Sequence, residues 1–143
     1  IFEAKFAYNF LDVYRPTGEQ KIQLPFNAKH RLMAAFSYEP KNKQWHADLN
    51  MHWMGPQRLP DTRSLPQSFQ QPEFSRAFSV ANVQFTKVWK KLDLYAGCEN
   101  LFDFRQIRPI INWQNPFGEY FDTAFAWGPT RGRELYVGVR MRL

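Results

Sequence analysis

Hydrophobic and polar residues alternate with a period of two in several separate blocks of the chain, which is the pattern of half-buried β-strands. In the clearest block the odd-numbered residues from Trp45 to Trp53 are apolar, while the even-numbered residues from His46 to His52 are polar. The blocks predict six strands that are longer than the usual five or six residues. Their expected bounds are about 1–14, 30–39, 45–54, 75–88, 92–101 and 132–143.

The connections between these blocks alternate in length. Residues 15–29, 55–74 and 102–131 form long connections, whereas residues 40–44 and 89–91 form short ones. Long loops are therefore expected at one end of the sheet and tight turns at the other. This arrangement is typical of outer-membrane barrels, whereas most connections in compact soluble domains are short.

The strand length and the tryptophan positions fit a membrane-spanning strand. Eight steps separate Trp45 from Trp53, so they lie roughly 27 Å apart along the strand and roughly 20 Å apart in height at a tilt of about 40°. We predict an aromatic girdle of Trp45, Trp53 and Trp89. The predicted fold is all-β, an antiparallel transmembrane β-barrel segment of about six strands within a larger outer-membrane barrel.

Six strands are too few to close such a barrel, because the smallest outer-membrane barrels have eight. An open sheet in lipid would also leave unpaired backbone groups at its two edges, which hydrocarbon does not tolerate. We therefore expect further strands, supplied by the same polypeptide or by another chain.

Composition narrows the alternatives without changing this prediction. The 143 residues are 44% hydrophobic and 17% aromatic, with a formal net charge of +6. The longest apolar run, residues 32–36, is far shorter than the about 20 residues of a membrane-spanning helix. The basic residues are dispersed rather than arranged in one stripe, so lumen lining and lipopolysaccharide contacts account for them better than nucleic acid.

Two segments of the C-terminal third carry a family resemblance. An Asn-Leu-Phe-Asp motif overlaps the end of the fifth block, a Gly-Pro pair precedes the last block, and a Gly-Arg pair begins it. The motif residues are Asn100, Leu101, Phe102, Asp103, Gly128, Pro129, Gly132 and Arg133. In their order and spacing these segments resemble TonB-dependent outer-membrane transporters.

The resemblance implies that residues 1–143 are the C-terminal portion of a 22-stranded barrel, with no counterpart of the N-terminal plug domain in this sequence. It also implies uptake of a scarce, large substrate such as an iron chelate, cobalamin or an oligosaccharide, and no enzyme activity or cofactor. The implied location is the outer membrane of a Gram-negative bacterium. One departure is the last residue, Leu143, where the family commonly ends in an aromatic residue.

The resemblance implies several partners as well. They are the remainder of the barrel and the plug, the TonB complex through the missing N-terminal region, outer-membrane lipid and lipopolysaccharide, and a surface lipoprotein.

The sequence indicates two sets of candidate contact residues and no catalytic or metal site. The first set shares the polar parity of the strands and is expected to line the lumen: Glu3, Lys5, Asn9, Arg31, His46, Asp48, Asn50, His52, Asp93, Glu99 and Arg140. The second set lies in long loops and is expected to contact a ligand or partner: Arg58, Arg105, Arg108, Trp113 and Phe117. Packing of the loops against each other is an equally good explanation of the second set.

Other interpretations remain open at this stage. His46, Asp48 and His52 share one strand face but extend along it, so we expect polar lining rather than a metal site. The chain has no Gly-x-Ser-x-Gly segment and no evident partner for its histidines, which argues against an outer-membrane hydrolase. The main alternative is a soluble antiparallel β-sandwich or lipocalin-like ligand-binding module.

Overall fold

The structure is a computed structural model that describes residues 1–17 and 20–141. The last two residues of the strand expected at 132–143, which include Leu143, lie outside the described residues.

Eight strands and one short 3₁₀ helix, at Gln67–Phe69, follow each other along the described chain. In chain order the strands are β1 (Phe2–Phe10), β2 (Tyr14–Thr17), β3 (Gln20–Gln23), β4 (His30–Tyr38), β5 (Trp45–Met54), β6 (Phe78–Val88), β7 (Leu92–Glu99) and β8 (Glu134–Met141). Six of them form one antiparallel sheet in the order β1-β4-β5-β6-β7-β8, in which neighbours along the sheet are consecutive long strands. The predicted all-β antiparallel architecture is therefore confirmed.

The first strand is shorter than predicted, and the first long connection contains structure of its own. The alternation of apolar and polar residues stops at Leu11, an apolar residue directly after the apolar Phe10, and β1 ends at Phe10. Residues 14–17 and 20–23 instead form a separate antiparallel hairpin. The prediction of a single strand over 1–14 was wrong at its C-terminal end, because local pairing of β2 with β3 replaces the extension of β1.

Two other strand ends differ from the predicted bounds for local reasons. The strand expected at 75–88 begins at Phe78, since the backbone N–H of Ser75 donates to the carbonyl of Gln57 in the loops (2.8 Å). The strand expected at 92–101 ends at Glu99, because Asn100 has a positive φ of 49° and turns the chain. Asn tolerates this left-handed conformation better than most residues.

The register of the sheet separates apolar from polar residues across all six long strands. One row of directly paired residues is apolar and consists of Ala4, Phe36, Leu49, Val83, Cys98 and Leu135. The neighbouring row lies on the opposite face and consists of Glu3, Ser37, Asp48, Gln84, Gly97 and Tyr136. Because side chains alternate between faces along each strand, the register gives the sheet one continuous apolar face and one polar face.

Hydrogen bonds between side chains tie neighbouring strands on the polar face. The Ser37 hydroxyl on β4 donates to Asp48 on the neighbouring β5 (2.7 Å), and the Tyr136 hydroxyl on β8 donates across β7 to Gln84 on β6 (3.0 Å). The apolar face has no such covering. On it Phe6 is 73% exposed and Val137 is 74% exposed, and the described residues include no second sheet packed against it.

Buried apolar residues lie mainly in the long loops. Ala28, Leu59, Ile111 and Phe125 are all at most 4% exposed, and all four belong to connections at one end of the sheet. That end holds the segments 11–29, 55–77 and 100–133, whereas the segments 39–44 and 89–91 turn tightly at the other end. The packed core of the described chain is therefore a layer of loops, which we call the loop layer, at one edge of an open sheet.

Gly97 leaves room for the Tyr136 ring on the polar face of the sheet. A larger residue at this position therefore tests the pairing of Gly97 with Tyr136. A Cβ at Gly97 would overlap the Tyr136 ring and lie 2.8 Å from the Val83 carbonyl oxygen. We expect Gly97→Ala to lower the free energy of unfolding by about 1–3 kcal/mol, since the backbone must shift. Urea unfolding in detergent would measure this change.

The matched control is Gly128→Ala, whose added Cβ would meet no atom closer than 3.4 Å. It should leave the unfolding midpoint nearly unchanged. Equal midpoints for the two variants would contradict the packing of Tyr136 over Gly97.

Candidate functional site

Three aromatic side chains attach the last long loop to the sheet. The rings of Phe78 and Phe104 stack with centroids 4.8 Å apart, and Trp127 lies 5.8 Å from Phe78 and 6.2 Å from Phe104. Phe78 is the first residue of β6, whereas the other two belong to segment 100–133. Such aromatic pairs stabilise a structure beyond their buried area, so this cluster positions the loop layer above the strand ends.

Two glutamine side chains then hold the loops to each other. The buried Gln106 donates to the Phe125 carbonyl (2.6 Å) and accepts hydrogen bonds from the backbone of Trp127 (2.7 Å) and Gly128 (3.0 Å). Gln57, from the preceding long loop, donates to the Trp127 carbonyl (3.1 Å). Because buried amides are costly to leave unpaired, these contacts fix two long loops in one arrangement.

The Asn-Leu-Phe-Asp motif joins the two ends of segment 100–133. The Asn100 side chain donates to the carbonyls of Phe104 (2.8 Å) and Arg131 (3.1 Å) and accepts from the Phe104 backbone N–H (3.1 Å). Leu101 and Phe102 contribute no comparable side-chain bonds and are 36% and 54% exposed. The motif therefore acts in this structure as a closing contact of the last loop.

Asp103 completes this contact with charged groups. Its carboxylate accepts from the backbone N–H of Arg133 (2.8 Å) and from the guanidinium of Arg105 (3.1 Å). These two donors hold the pKa of Asp103 below its ordinary value. Arg133 also donates to the Leu101 carbonyl (2.7 Å), so the Gly-Arg pair before β8 and the motif after β7 bind each other.

The Gly-Pro pair lies at the other side of the same loop. The backbone N–H of Gln106 donates to the carbonyl of Pro129 (2.8 Å), and the Gln106 side chain binds the N–H of Gly128. A Cβ added at Gly132 would crowd the Arg105 guanidinium at 2.6 Å. Asn100, Asp103, Gly128, Pro129 and Arg133 thus take part in one loop closure.

Two adjacent grooves open on the outer surface of the loop layer. One has a volume of about 270 Å³ and is lined by Phe69, Gln71, Arg108 and Trp113 among others. The second has a volume of about 350 Å³, and Arg76, Ile107 and Arg108 belong to its lining. Arg108 lies between the grooves and has a positive φ of 55°. We call the two together the loop grooves.

Two arginines in the loop grooves have no carboxylate partner among the described residues. Neither Arg76 nor Arg108 lies within ion-pair distance of an acidic group in the described ranges. Two of the other candidate arginines are paired, Arg58 with Glu73 (3.3 Å) and Arg105 with Asp103 (3.1 Å). Unpaired guanidinium groups beside aromatic surface suit an anionic or aromatic ligand.

The structure brings only part of the predicted loop set together. Arg108 and Trp113 share a groove, and Trp113 is 63% exposed. Phe117 is fully exposed and lines neither groove. Arg76 was missed by the sequence reasoning, because nothing in the sequence distinguishes an unpaired loop arginine from a paired one.

All eleven residues predicted on the polar strand parity lie on the polar face of the sheet. His46 is 3.4 Å from the Glu39 carboxylate, and Asp48 is bound by Ser37. Within residues 1–17 and 20–141, no group of three or more acidic, histidine or cysteine side chains is arranged to hold a metal ion. That the polar face lines a lumen stays a prediction.

Trp45 and Trp53 lie on the apolar face of the sheet, and Trp89 lies in the short turn between β6 and β7. Trp45 is 51% exposed and Trp89 is 48% exposed, both beside the short turns, and the Lys87 ammonium lies 4.2 Å from the Trp45 ring centroid. Trp53 lies at the opposite margin, paired with Leu32 and Ser79. A groove of about 450 Å³ beside it, lined by Tyr8 and Leu32, is part of this open apolar face.

Comparison with known proteins finds a structural likeness. No family model matches the chain, and no curated protein matches it. The chain is similar to the crystal structure of the ferric-catecholate import receptor Fiu from E. coli in a closed form, with a TM-score of 0.68 and 15% sequence identity. The match covers 98% of this chain and 18% of that receptor.

The likeness shows the fold, an all-β antiparallel sheet similar to a segment of an outer-membrane barrel. The chain spans less than a fifth of the receptor's length, and no closed barrel forms within the described residues. No helix in the described part of the chain is long and apolar enough to span a membrane.

Removing the Asn100 amide should loosen the last loop. Asn100→Ala eliminates three hydrogen bonds and places alanine at a positive φ, so we expect a loss of about 2–4 kcal/mol in unfolding free energy and faster proteolysis within 104–130. Limited proteolysis followed by mass spectrometry would locate the cleavage.

Asn112→Ala serves as the control, because Asn112 has a similar φ of 50° but its side chain forms no hydrogen bond with the described residues. It imposes the backbone strain alone and should cost about 1 kcal/mol. If both variants were cleaved at the same rate, Asn100 would not be the closing contact.

Proposed function

We propose that this chain is part of the wall of an outer-membrane, TonB-dependent transporter that imports a scarce, large substrate. In this proposal residues 1–143 form the C-terminal portion of the receptor barrel, with the apolar face toward lipid and the polar face toward the lumen. The location is the outer membrane of a Gram-negative bacterium, and the chain performs no catalysis.

The observation that carries this proposal is the uninterrupted apolar face across six strands. A soluble protein rarely exposes an apolar patch larger than a few hundred Å², whereas a barrel wall needs an apolar band with aromatic margins. The sorting of long loops to one end and tight turns to the other adds independent support. The structural likeness to a ferric-catecholate import receptor agrees with both.

The edges of the sheet require partners in this setting. The outer edges of β1 and β8 each present backbone groups that must pair within a bilayer, since an unsatisfied group there costs several kcal/mol. Additional strands, from the same polypeptide or another chain, would close the barrel, and a plug would fill it. Coupling to the TonB complex and contact with a surface lipoprotein belong to those parts of the assembly.

For the substrate we favour an anionic, aromatic iron chelate over cobalamin or a neutral oligosaccharide. The support is two guanidinium groups in the loop grooves, those of Arg76 and Arg108, which have no carboxylate partner within the described ranges. They lie near the exposed side chains of Trp113 and Ile107. Guanidinium groups bind carboxylate and phenolate oxygens and also stack on aromatic rings. A ligand that is captured there would enter from the long-loop side.

Opposite faces of β5 give a matched test of the membrane setting. Leu49 is midway between Trp45 and Trp53 on the apolar face, and Asn50 is the next residue on the polar face. We expect Leu49→Arg to destabilise the assembled barrel by about 2–4 kcal/mol and to reduce its amount in the outer membrane. Asn50→Arg should be tolerated.

Heat-modifiable gel migration would measure the folded fraction of both variants, and fractionation would measure their amount in the outer membrane. A monomer that is soluble without detergent, with normal folding of both variants, would support the soluble binding module and reject the proposal. In the closed assembly, 22 strands around a plug would support the family, whereas a complete barrel of eight to twelve strands would reject it.

The loop grooves give a separate test of the substrate class. We expect the double change Arg76→Gln and Arg108→Gln to weaken binding of a ferric tris-catecholate by about 100-fold, or about tenfold for each charged hydrogen bond. Isothermal titration on the purified assembly would measure the dissociation constant. Barrel assembly should not change, because both side chains are at the surface.

Arg63→Gln is the control, because this exposed arginine is already bound to Asp61 (2.6 Å) and is not part of the loop grooves. Its pairing holds the pKa of Asp61 at about 2. Stronger binding of a neutral oligosaccharide than of the chelate, unaffected by the double change, would overturn the substrate assignment while leaving the transporter proposal intact.

A further inference from the structure

Lysine is concentrated at the short-turn end of the sheet. Of the eight lysines in the chain, five lie in or directly beside the two tight turns. They are Lys41, Lys43, Lys87, Lys90 and Lys91. We call this group the turn lysines.

The two short turns lie next to each other in the fold. The backbone N–H of Val88, at the end of β6, donates to the carbonyl of Gln44 (2.9 Å), just before β5. A groove of about 540 Å³ runs between the turns and is lined by Lys43, Lys87 and Lys90 among others. The ammonium groups of both turns therefore belong to one surface.

The turn lysines differ from the cations of the loop layer in their pairing. In the loop layer Lys29 binds Asp12 (2.8 Å), and four arginines have carboxylate partners. In the described ranges none of the turn lysines forms an ion pair, and the nearby Glu39 is 3.4 Å from His46 instead. The short-turn end thus presents positive charge with no anion found for it within the described chain.

Two indole rings place this charge at the margin of the apolar face. The Lys87 ammonium is 4.2 Å from the Trp45 ring centroid and 6.0 Å from that of Trp89, and it donates to the Gln44 side chain (3.3 Å). Tryptophan favours the boundary between hydrocarbon and headgroups. Lysine beside it extends its ammonium toward the polar side of that boundary.

From this arrangement we propose that the turn lysines bind the phosphate groups of anionic phospholipids, such as phosphatidylglycerol, in the leaflet that the short turns face. The inference depends on the proposed function, which places the apolar face in a bilayer. The lipid tails lie against the apolar face beside Trp45 and Trp89, and the phosphate groups contact the turn lysines in and beside the groove between the turns. Each lysine near an anionic membrane surface strengthens binding by about fivefold.

The test uses the complete membrane protein that contains this chain, in lipid nanodiscs and detergent. Native mass spectrometry would give apparent dissociation constants for phosphatidylglycerol and for phosphatidylethanolamine. We expect tighter binding of phosphatidylglycerol at low ionic strength and weaker preference as salt increases. The combined change Lys41→Gln, Lys90→Gln and Lys91→Gln should raise the constant for phosphatidylglycerol at least tenfold.

A second variant removes the same charge from the opposite end. Arg15→Gln, Lys21→Gln and Arg131→Gln should leave the constant for phosphatidylglycerol unchanged, because these residues lie in the loop layer. A third variant replaces Lys41, Lys90 and Lys91 with arginine, which keeps the charge and should restore binding.

Equal binding of the two lipids, or an equal loss in the two neutralised variants, would overturn the inference. Tighter binding of a soluble polyanion such as heparin than of phosphatidylglycerol would also overturn it, in favour of a periplasmic polymer. Lipid preference is measured only on protein that has entered nanodiscs. Failure of the protein to insert would therefore count against the proposed function, whereas inserted protein without a lipid preference would count against the lipid inference alone.

Discussion

The antiparallel register of the six long strands is the constraint on which the rest of the structure depends. A shift of one residue in any pair would move every side chain of that strand to the other face. The observed register instead joins Leu49 to Phe36 and Val83 on one face and Asp48 to Ser37 and Gln84 on the other. The result is a sheet with one apolar face and one polar face, which is the arrangement that the proposed place in a barrel wall requires.

The loop layer depends on that wall, because its anchors are strand ends. Phe78 begins β6 and stacks on Phe104, and Asn82 on β6 accepts from the backbone N–H of Asn100 (2.9 Å). From these points Gln106 and Asn100 close the last loop with a few hydrogen bonds. The loop grooves, with Arg108 between them, are therefore presented by a surface that is fixed to the sheet.

Charge is distributed differently at the two ends of the wall, and the difference is one of pairing rather than of sign. Both ends carry basic residues. In the loop layer five of the ten lysines and arginines form ion pairs with carboxylates of the described residues, such as Lys29 with Asp12. Arg76 and Arg108, which form none within the described ranges, line the loop grooves. At the short turns no lysine forms an ion pair within the described residues, and Lys87 lies beside the Trp45 and Trp89 rings. Basic side chains that have no carboxylate partner in the chain can bind anions from outside it. The two proposals accordingly assign an anionic aromatic chelate to the arginines of the loop grooves and phospholipid phosphate to the turn lysines.

The sequence by itself determined the six long strands, their apolar and polar parity and the sorting of the loops, because a period of two and the turn residues are local properties. It also located the motif from Asn100 to Asp103, although not its role as a loop closure. Only the tertiary structure decided the hairpin of β2 and β3, the pairing of Arg58 with Glu73 and the selection of Arg76 for the loop grooves. These features depend on contacts between residues distant in sequence or on competing local pairings. A periodic pattern of apolar and polar residues does not predict which arginines and lysines form ion pairs.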